Sequence, residues 1–232
     1  MASQPVDEEK KVLVPGIRNP DLKRYRVMLA GLDAFDEYHT LAPAATQLRF
    51  KLRPRTGSPA ADMENLALRI AGDTSSIEVA VAADGIFTLP RSETAEDKDA
   101  DLVLNKKHGG YRWRPDIHSD GVPDGMRRLG DVRLECKVLI AIAKKEMGFA
   151  TRTMINGLML TTDWCTNKEI KMPGMSTRPV VSATLVDGER RLALKIENDG
   201  KEYLVPVSDK SYSDDALIEL QFVDQTTVPL PR

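Results

Sequence analysis

Apolar and polar residues alternate along several short stretches of the chain, and turn residues separate these stretches. Between Pro179 and Val223 the alternation recurs in successive runs, with Asp187-Gly188 and Asp199-Gly200 between them. A period of two predicts strands with one buried face, and Asp-Gly is typical of the tight turns of antiparallel hairpins. The pattern therefore predicts a C-terminal β meander of four strands.

The upstream part of the chain carries the same pattern. Its clearest run alternates apolar and cationic residues: Leu48, Phe50 and Leu52 with Arg49, Lys51 and Arg53. Such a run predicts a strand whose apolar residues face one way and whose cationic residues face the other. Tyr25, Val27 and Leu29 predict a further strand in the same way. Together these runs predict a mainly β fold, an antiparallel sandwich or jelly-roll-like arrangement of roughly eight to eleven strands.

Residues 131–147 are the best candidate for a helix. Asp131 can cap its start, and Lys144 and Lys145 lie near its end, where the helix dipole favours cations. The apolar positions from Val132 to Ile142 also alternate, so a strand is a rival interpretation. The stretch is long for a strand, and its length favours the helix.

On this interpretation the chain has several parts, which form one unit or two tightly packed lobes. They are an N-terminal arm (residues 1–23), a β-rich region (24–128), the helix with connecting loops (129–177), and the C-terminal β meander with its tail (178–232). Prolines occur in both extended ends of the chain. Exchanged arms of this kind are a simple means by which subunits hold one another.

The overall charge excludes some classes of partner. The chain has 33 basic and 35 acidic residues, a net charge of −2. A basic excess is what favours nucleic acid phosphates or anionic lipids, so we expect neither as a general partner. No apolar run approaches the ~20 residues of a spanning helix, and the N-terminus lacks the apolar region of a signal peptide. The compartment stays open, because assembly-associated and exported locations both fit.

Cys136 and Cys165 have two interpretations. In an oxidising compartment they are expected to form a disulfide that closes a loop of about 30 residues and stabilises the fold by a few kcal/mol. In a reducing compartment they are expected to be two small buried apolar residues.

The sequence Asp-Ile-His-Ser-Asp-Gly resembles the first half of a calcium loop. Asp116, His118 and Asp120 occupy its alternate positions, and Asp124 follows. Alternating oxygen ligands on a tight turn suit a hard cation such as calcium. However, His118 replaces an oxygen ligand, and Arg127 stands where a bidentate glutamate belongs. The alternative interpretation is a polar surface loop.

Basic and aromatic residues interleave in a second candidate site. Arg112 and Arg114 alternate with Tyr111 and Trp113, and Trp164 is the other tryptophan of the chain. Aromatic rings flanked by arginines can stack on a ligand. The strand period gives a simpler interpretation, in which the aromatic rings face a core and the arginines face water.

No sequence motif for a nucleophile, a zinc centre or a phosphate-binding loop is present. The sequence therefore favours a non-enzymatic structural or interaction protein, a homo-oligomeric subunit of a larger assembly such as a virion or envelope complex. One alternative is an exported carbohydrate-binding β-sandwich that uses Trp113 or Trp164. Another is a metal-dependent enzyme built on Asp116, His118 and Asp120. No cofactor is expected apart from calcium at that loop.

Overall fold

The computed structural model describes residues 17–55, 63–72, 76–93, 95 and 99–223. In these residues the strands form four antiparallel sheets, with the orders β1-β6-β3-β4, β5-β2-β7, β11-β10-β14-β8 and β12-β13-β9. The strands are β1 (Pro20–Arg24), β2 (Arg49–Pro54), β3 (Leu68–Ala71), β4 (Ser76–Val79), β5 (Ile86–Phe87), β6 (Asp101–Lys107), β7 (Tyr111–Asp116), β8 (Met126–Arg128), β9 (Met172–Met175), β10 (Val180–Asp187), β11 (Arg190–Ala193), β12 (Ile196–Glu197), β13 (Glu202–Val205) and β14 (Leu217–Phe222). The prediction of a mainly β fold is confirmed.

Three longer helices accompany the sheets: α1 (Tyr25–Glu37), α2 (Leu129–Glu146) and α3 (Phe149–Met159). The helix predicted near residues 131–147 is confirmed as α2. Its first residue is Leu129, so Asp131 lies in the first turn, and no side chain caps the helix start. The Asp131 carboxylate accepts hydrogen bonds from Ser119 instead.

The strand predicted from Tyr25, Val27 and Leu29 is wrong, because these residues belong to α1. Tyr25, Met28, Leu29 and Phe35 are all buried in this helix. At 100° per residue these four positions lie within about a third of the helix circumference, so a helical pattern was present beside the alternating one. The helical pattern prevails because α1 packs against α2: a Cβ atom added to Gly31 would come within 2.8 Å of Ile142 Cδ1.

Helix α2 lies between two hydrophobic cores. The first contains Leu134, Val138 and Ile142 of α2 together with α1, β2, β3 and β6. The second contains Leu129, Val132 and Cys136 together with β9, β10, β13 and β14. Because both sides of α2 are covered, its apolar residues extend around much of the helix.

The C-terminal strands are present, and their pairing is divided between two sheets. The β10–β11 hairpin turns at Gly188, whose φ is +61°. Strand β14 pairs with the other side of β10, whereas β13 pairs with β12 and β9. At the N-terminal end, β1 pairs with β6 of its own chain. The rest of the predicted arms, residues 1–16 and 224–232, lies outside the described residues.

Candidate binding cleft and exposed helix

Strands β2 and β7 place a row of charged side chains on one face of their sheet. In their antiparallel register Arg49 lies opposite Asp116, Lys51 opposite Arg114, and Arg53 opposite Arg112. Residues directly opposite each other in such a pair share a face, so five cations and one carboxylate are neighbours there. On this face Lys51 is buried, and Arg49 and Arg53 are half-buried.

Most of these cations have a carboxylate partner. Arg49 lies 3.0 Å from Asp116, and Lys51 donates to Asp84 at 2.9 Å. Arg112 lies 3.7 Å from Glu202, at the edge of ion-pair distance. The sheet is thereby linked to the C-terminal part of the chain through β13, which carries Glu202.

Arg53 and Arg114 are the exceptions. In the described part of the chain neither guanidinium makes a hydrogen bond or lies within ion-pair distance of a carboxylate. Burial lowers the pKa of both groups below the usual arginine value. Glu135 attracts both guanidinium groups only from beyond ion-pair distance. A partly buried cation held this weakly costs free energy, because its lost hydration is not fully replaced.

The side chain of Arg114 lines a cleft of about 470 Å³ between β1, β7 and α2. The lining is Asp21, Leu22, Lys23, Arg55, His108, Gly109, Tyr111, Arg112, Trp113, Arg114 and Leu139. Its one carboxylate, that of Asp21, accepts a hydrogen bond from the backbone N–H of Gly109. Four cationic side chains share the cleft with that carboxylate, so the cleft is electropositive.

The structure separates the two tryptophans of the predicted ligand site. Trp113 lines the cleft beside Arg112 and Arg114. Its ring meets Phe87 edge-on at a centroid distance of 5.8 Å, and its buried Nε1 has no acceptor within the described residues. Trp164 is buried elsewhere, and its Nε1 donates to Asn156. Sequence reasoning did not find Lys23 and Arg55, because strand periodicity does not show which distant strands meet.

A buried ion pair lies close to the charged sheet face, near enough for Glu135 to attract Arg53 and Arg114. Arg127 of β8 donates to Glu135 of α2 at 2.9 Å, and both side chains are buried. Burial raises the pKa of Glu135, whereas Arg127 opposes that increase. The Tyr203 hydroxyl is also buried here, and no described residue completes a hydrogen bond with it. Burial raises the pKa of Tyr203.

The predicted calcium loop is fastened to α2 by hydrogen bonds. The backbone N–H of Ile117 donates to Glu135 at 2.9 Å, and that of Ser119 donates to Asp131 at 2.9 Å. Asp116 Oδ1 lies 3.3 Å from His118 Nε2. Its Oδ2 lies 3.0 Å from Arg49 but accepts no hydrogen bond within the described residues.

The aspartates and the histidine of this loop do not form a recognisable metal centre. Asp120 and Asp124 are exposed. Among the residues that the structure describes, no three His, Cys, Asp or Glu side chains gather closely enough to hold a metal ion. Calcium binding at Asp116, His118, Asp120 and Asp124 stays a prediction from the sequence.

The two cysteines meet in the second core. A disulfide joins Cys136 of α2 to Cys165, with Cα atoms 6.1 Å apart. Cys165 lies in a short 3₁₀ turn, Trp164–Thr166. The bridge therefore ties the segment after α3 back to the central helix.

Helix α3 is the most exposed apolar element of the described chain. None of its residues is buried. The exposed fractions are 76% for Phe149, 62% for Met154, 77% for Leu158 and 92% for the neighbouring Leu160. Arg152 is the single charged residue between Phe149 and Leu160. Sequence analysis did not identify this surface, although the nearly uncharged apolar run from Phe149 to Leu160 is a signal that could have done so.

Within the described ranges, no helix is both long and apolar enough to cross a membrane. The sequence matches no family model, and neither a curated protein nor a solved structure is similar enough to count as a match.

Proposed function

We propose that this protein is a non-enzymatic assembly subunit whose helix α3 docks against the same helix of a second copy. The observation that carries the proposal is the exposure of α3, whose large apolar side chains Phe149, Leu158 and Leu160 are each at least three-quarters exposed. Contiguous exposed apolar surface of this kind is typical of protein interaction sites. The larger assembly predicted from the sequence, a virion or envelope complex, is an extension of this proposal.

The exposed face of α3 is shaped to receive another helix. Ala150, Thr153 and Gly157 follow one another at intervals of three and four residues, so they form a stripe of small side chains. At 100° per residue, Phe149 lies on one side of this stripe and Met154 with Leu158 on the other. A groove of small residues between two apolar ridges complements a copy of itself.

The charges around α3 favour a second copy as the occupant. Arg152 lies on the half-buried side of the helix, where its guanidinium is 5.7 Å from the centre of its own Phe149 ring. The exposed face therefore brings no like charges together when it meets a copy of itself. A two-fold axis near Thr153 places Ala150 of one copy near Gly157 of the other, in an isologous contact.

Within the described residues, contacts hold helix α3 along one side. Asn156 accepts a hydrogen bond from Trp164, and Asn167 donates to the carbonyl of Met159. Isolated helices shorter than about 12–15 residues are marginal in water. Packing against a partner helix would bury the apolar face and stabilise this segment.

The test is the mass of the protein in solution across a range of concentrations, measured by light scattering or sedimentation. We expect the wild-type chain to form a dimer and the Met154→Lys/Leu158→Lys variant to be a monomer. Both side chains are exposed, so the variant is expected to keep its fold and its circular dichroism spectrum. Val181→Lys is the matched control, since Val181 is 62% exposed on β10, and this variant is expected to stay dimeric.

A monomeric wild-type chain at high concentration would contradict the proposal, as would an unchanged dimer in the double variant. Binding of the monomer to lipid vesicles that is lost in the Met154→Lys/Leu158→Lys variant would indicate that a membrane surface covers α3 instead, and this result would also overturn the proposal. All three outcomes can be read with the same three proteins.

A further inference from the structure

We infer that the cleft between β1, β7 and α2 binds a small anionic ligand through a carboxylate or phosphate group, and that Arg114 is its principal contact. This inference is independent of the docking of α3, because the cleft is lined by other elements. The cleft volume of about 470 Å³ is in the range of small-molecule sites.

The charge distribution argues for an anion. Arg112 has Glu202 near it, Lys23 pairs with Glu146, and the carboxylate of Asp21 is engaged by Gly109. Arg114 has no partner of this kind among the described residues. Arg53, its neighbour on the same sheet face, has none either, so positive charge accumulates where two strands meet.

The chemistry of the donors fits a planar or tetrahedral oxyanion. A guanidinium group presents parallel N–H donors that match the oxygens of a carboxylate or phosphate, and such bonds are stronger than neutral ones. Arg55 uses its Nε to donate to the carbonyl of Tyr111.

A bound anion would replace the hydration that Arg114 loses on folding. Without the anion, Arg114 is a partly buried cation with no partner, which opposes folding. Removal of its charge should therefore weaken ligand binding and leave the free protein at least as stable as before. An arginine with a purely structural role would behave in the opposite way, because its loss would destabilise the free protein.

The experiment combines calorimetric titration with thermal unfolding at constant ionic strength, using sodium phosphate, sodium glucuronate and uncharged glucose as probes. Arg114→Gln is the test variant, and Arg55→Gln is a second variant in the same cleft. Arg191→Gln is the matched control, since it removes the same charge on the exposed strand β11.

We expect phosphate or glucuronate to bind the wild-type chain and the Arg191→Gln variant equally well, and to bind Arg114→Gln at least tenfold more weakly. In buffer without these anions, the Arg114→Gln variant should unfold at the same temperature as wild type or higher. Binding of phosphate alone would identify a phosphate ligand, and binding of glucuronate alone a carboxylate ligand; either supports the inference.

Three results would overturn it: no anion binds beyond the effect of sodium chloride, glucose binds as tightly as glucuronate, or the variants at Arg114 and Arg191 bind equally. Preferential binding of glucose would favour the neutral carbohydrate site predicted from Trp113.

Discussion

The guanidinium of Arg127 and the carboxylate of Glu135 form a buried ion pair, with Nη2 and Oε1 2.9 Å apart. Each partner also binds the loop after β7. Arg127 donates a hydrogen bond to the carbonyl of Ile117, and Glu135 accepts one from the Ile117 N–H. The pair therefore joins β8, the loop after β7 and the central helix α2. It lies close to the charged face on which Arg53 and Arg114 are found.

Removal of the charge of Glu135 should be severely destabilising. Glu135→Gln keeps an acceptor for the N–H of Ile117 but leaves Arg127 buried without a counter-ion, and such a loss costs about 3–5 kcal/mol. Chemical denaturation would measure this change in the free energy of unfolding. Glu146→Gln, an exposed ion-pair partner on the same helix, is the control and should cost less than about 1 kcal/mol. Equal effects of the two substitutions would show that the buried pair adds nothing.

Asp116 should make the stability of the fold depend on acidic pH. Burial alone would raise its pKa, but His118, Arg127 and Arg49 lower it from near 3.8 to about 2. A carboxylate whose pKa is lower in the folded state stabilises the fold above its unfolded pKa, and this contribution is lost as the pH falls from about 4 to about 2. The lowering corresponds to about 2 kcal/mol.

Asp116→Asn should therefore be less stable than wild type at pH 7 by about 2 kcal/mol, with the difference shrinking towards pH 2. Urea unfolding at a series of pH values measures the free energy of unfolding of wild type and of the variant. Asp120→Asn is the control in the same loop, because Asp120 is exposed. A stability difference that stays constant between pH 7 and pH 2 would show that the charge of Asp116 is not responsible.

The bridge between Cys136 and Cys165 should contribute strongly to stability. Its cysteines are 29 residues apart, and a loop of this size predicts about 3–4 kcal/mol in the chain-entropy model. A reducing agent should lower the urea midpoint of wild type and leave that of the Cys136→Ala/Cys165→Ala variant unchanged. If complete reduction does not move the wild-type midpoint, the bridge is dispensable.

Gly130 should tolerate no side chain. A Cβ atom at this position would lie 2.0 Å from the carbonyl oxygen of Leu41, a backbone atom that has little freedom to move. Gly130→Ala is expected to cost about 1–3 kcal/mol or more, the range of overpacked cores. Gly157→Ala in α3, where nothing lies within 4 Å of the added atom, should instead stabilise the monomer by up to ~1 kcal/mol. Thermal unfolding at low concentration compares the two variants with wild type. Similar shifts of the unfolding temperature in both variants would refute the steric argument.

Sequence patterns predicted the β-rich fold and helix α2. They also allowed a strand as the rival interpretation of the α2 segment. Its alternating run is explained by the two cores, since Val132 and Cys136 face one core while Leu134 and Val138 face the other. A helix covered on both sides loses the single apolar stripe that normally identifies it. Helix α1 was missed for a related reason, because three of its apolar residues happen to alternate.

The candidate cleft was predictable only in part. Arg112, Trp113 and Arg114 are adjacent in sequence, and the structure places all three in one cleft. Arg53 and Arg114 are 61 positions apart, and they become neighbours only through the register of β2 and β7. Periodicity assigns a face to each strand, but it does not determine which strands pair or what covers the polar side.

The most direct test of the proposed assembly is a cross-link at the predicted two-fold axis. The two cysteines of the chain are already joined to each other, so a new cysteine reports on its own surroundings. Thr153→Cys should form a covalent dimer rapidly under mild oxidation at low concentration, because the two copies of residue 153 would face each other. Val181→Cys should form no covalent dimer under the same conditions, although its non-covalent dimer persists. If the cysteine at position 153 links no faster than the one at position 181, helix α3 does not meet its own copy.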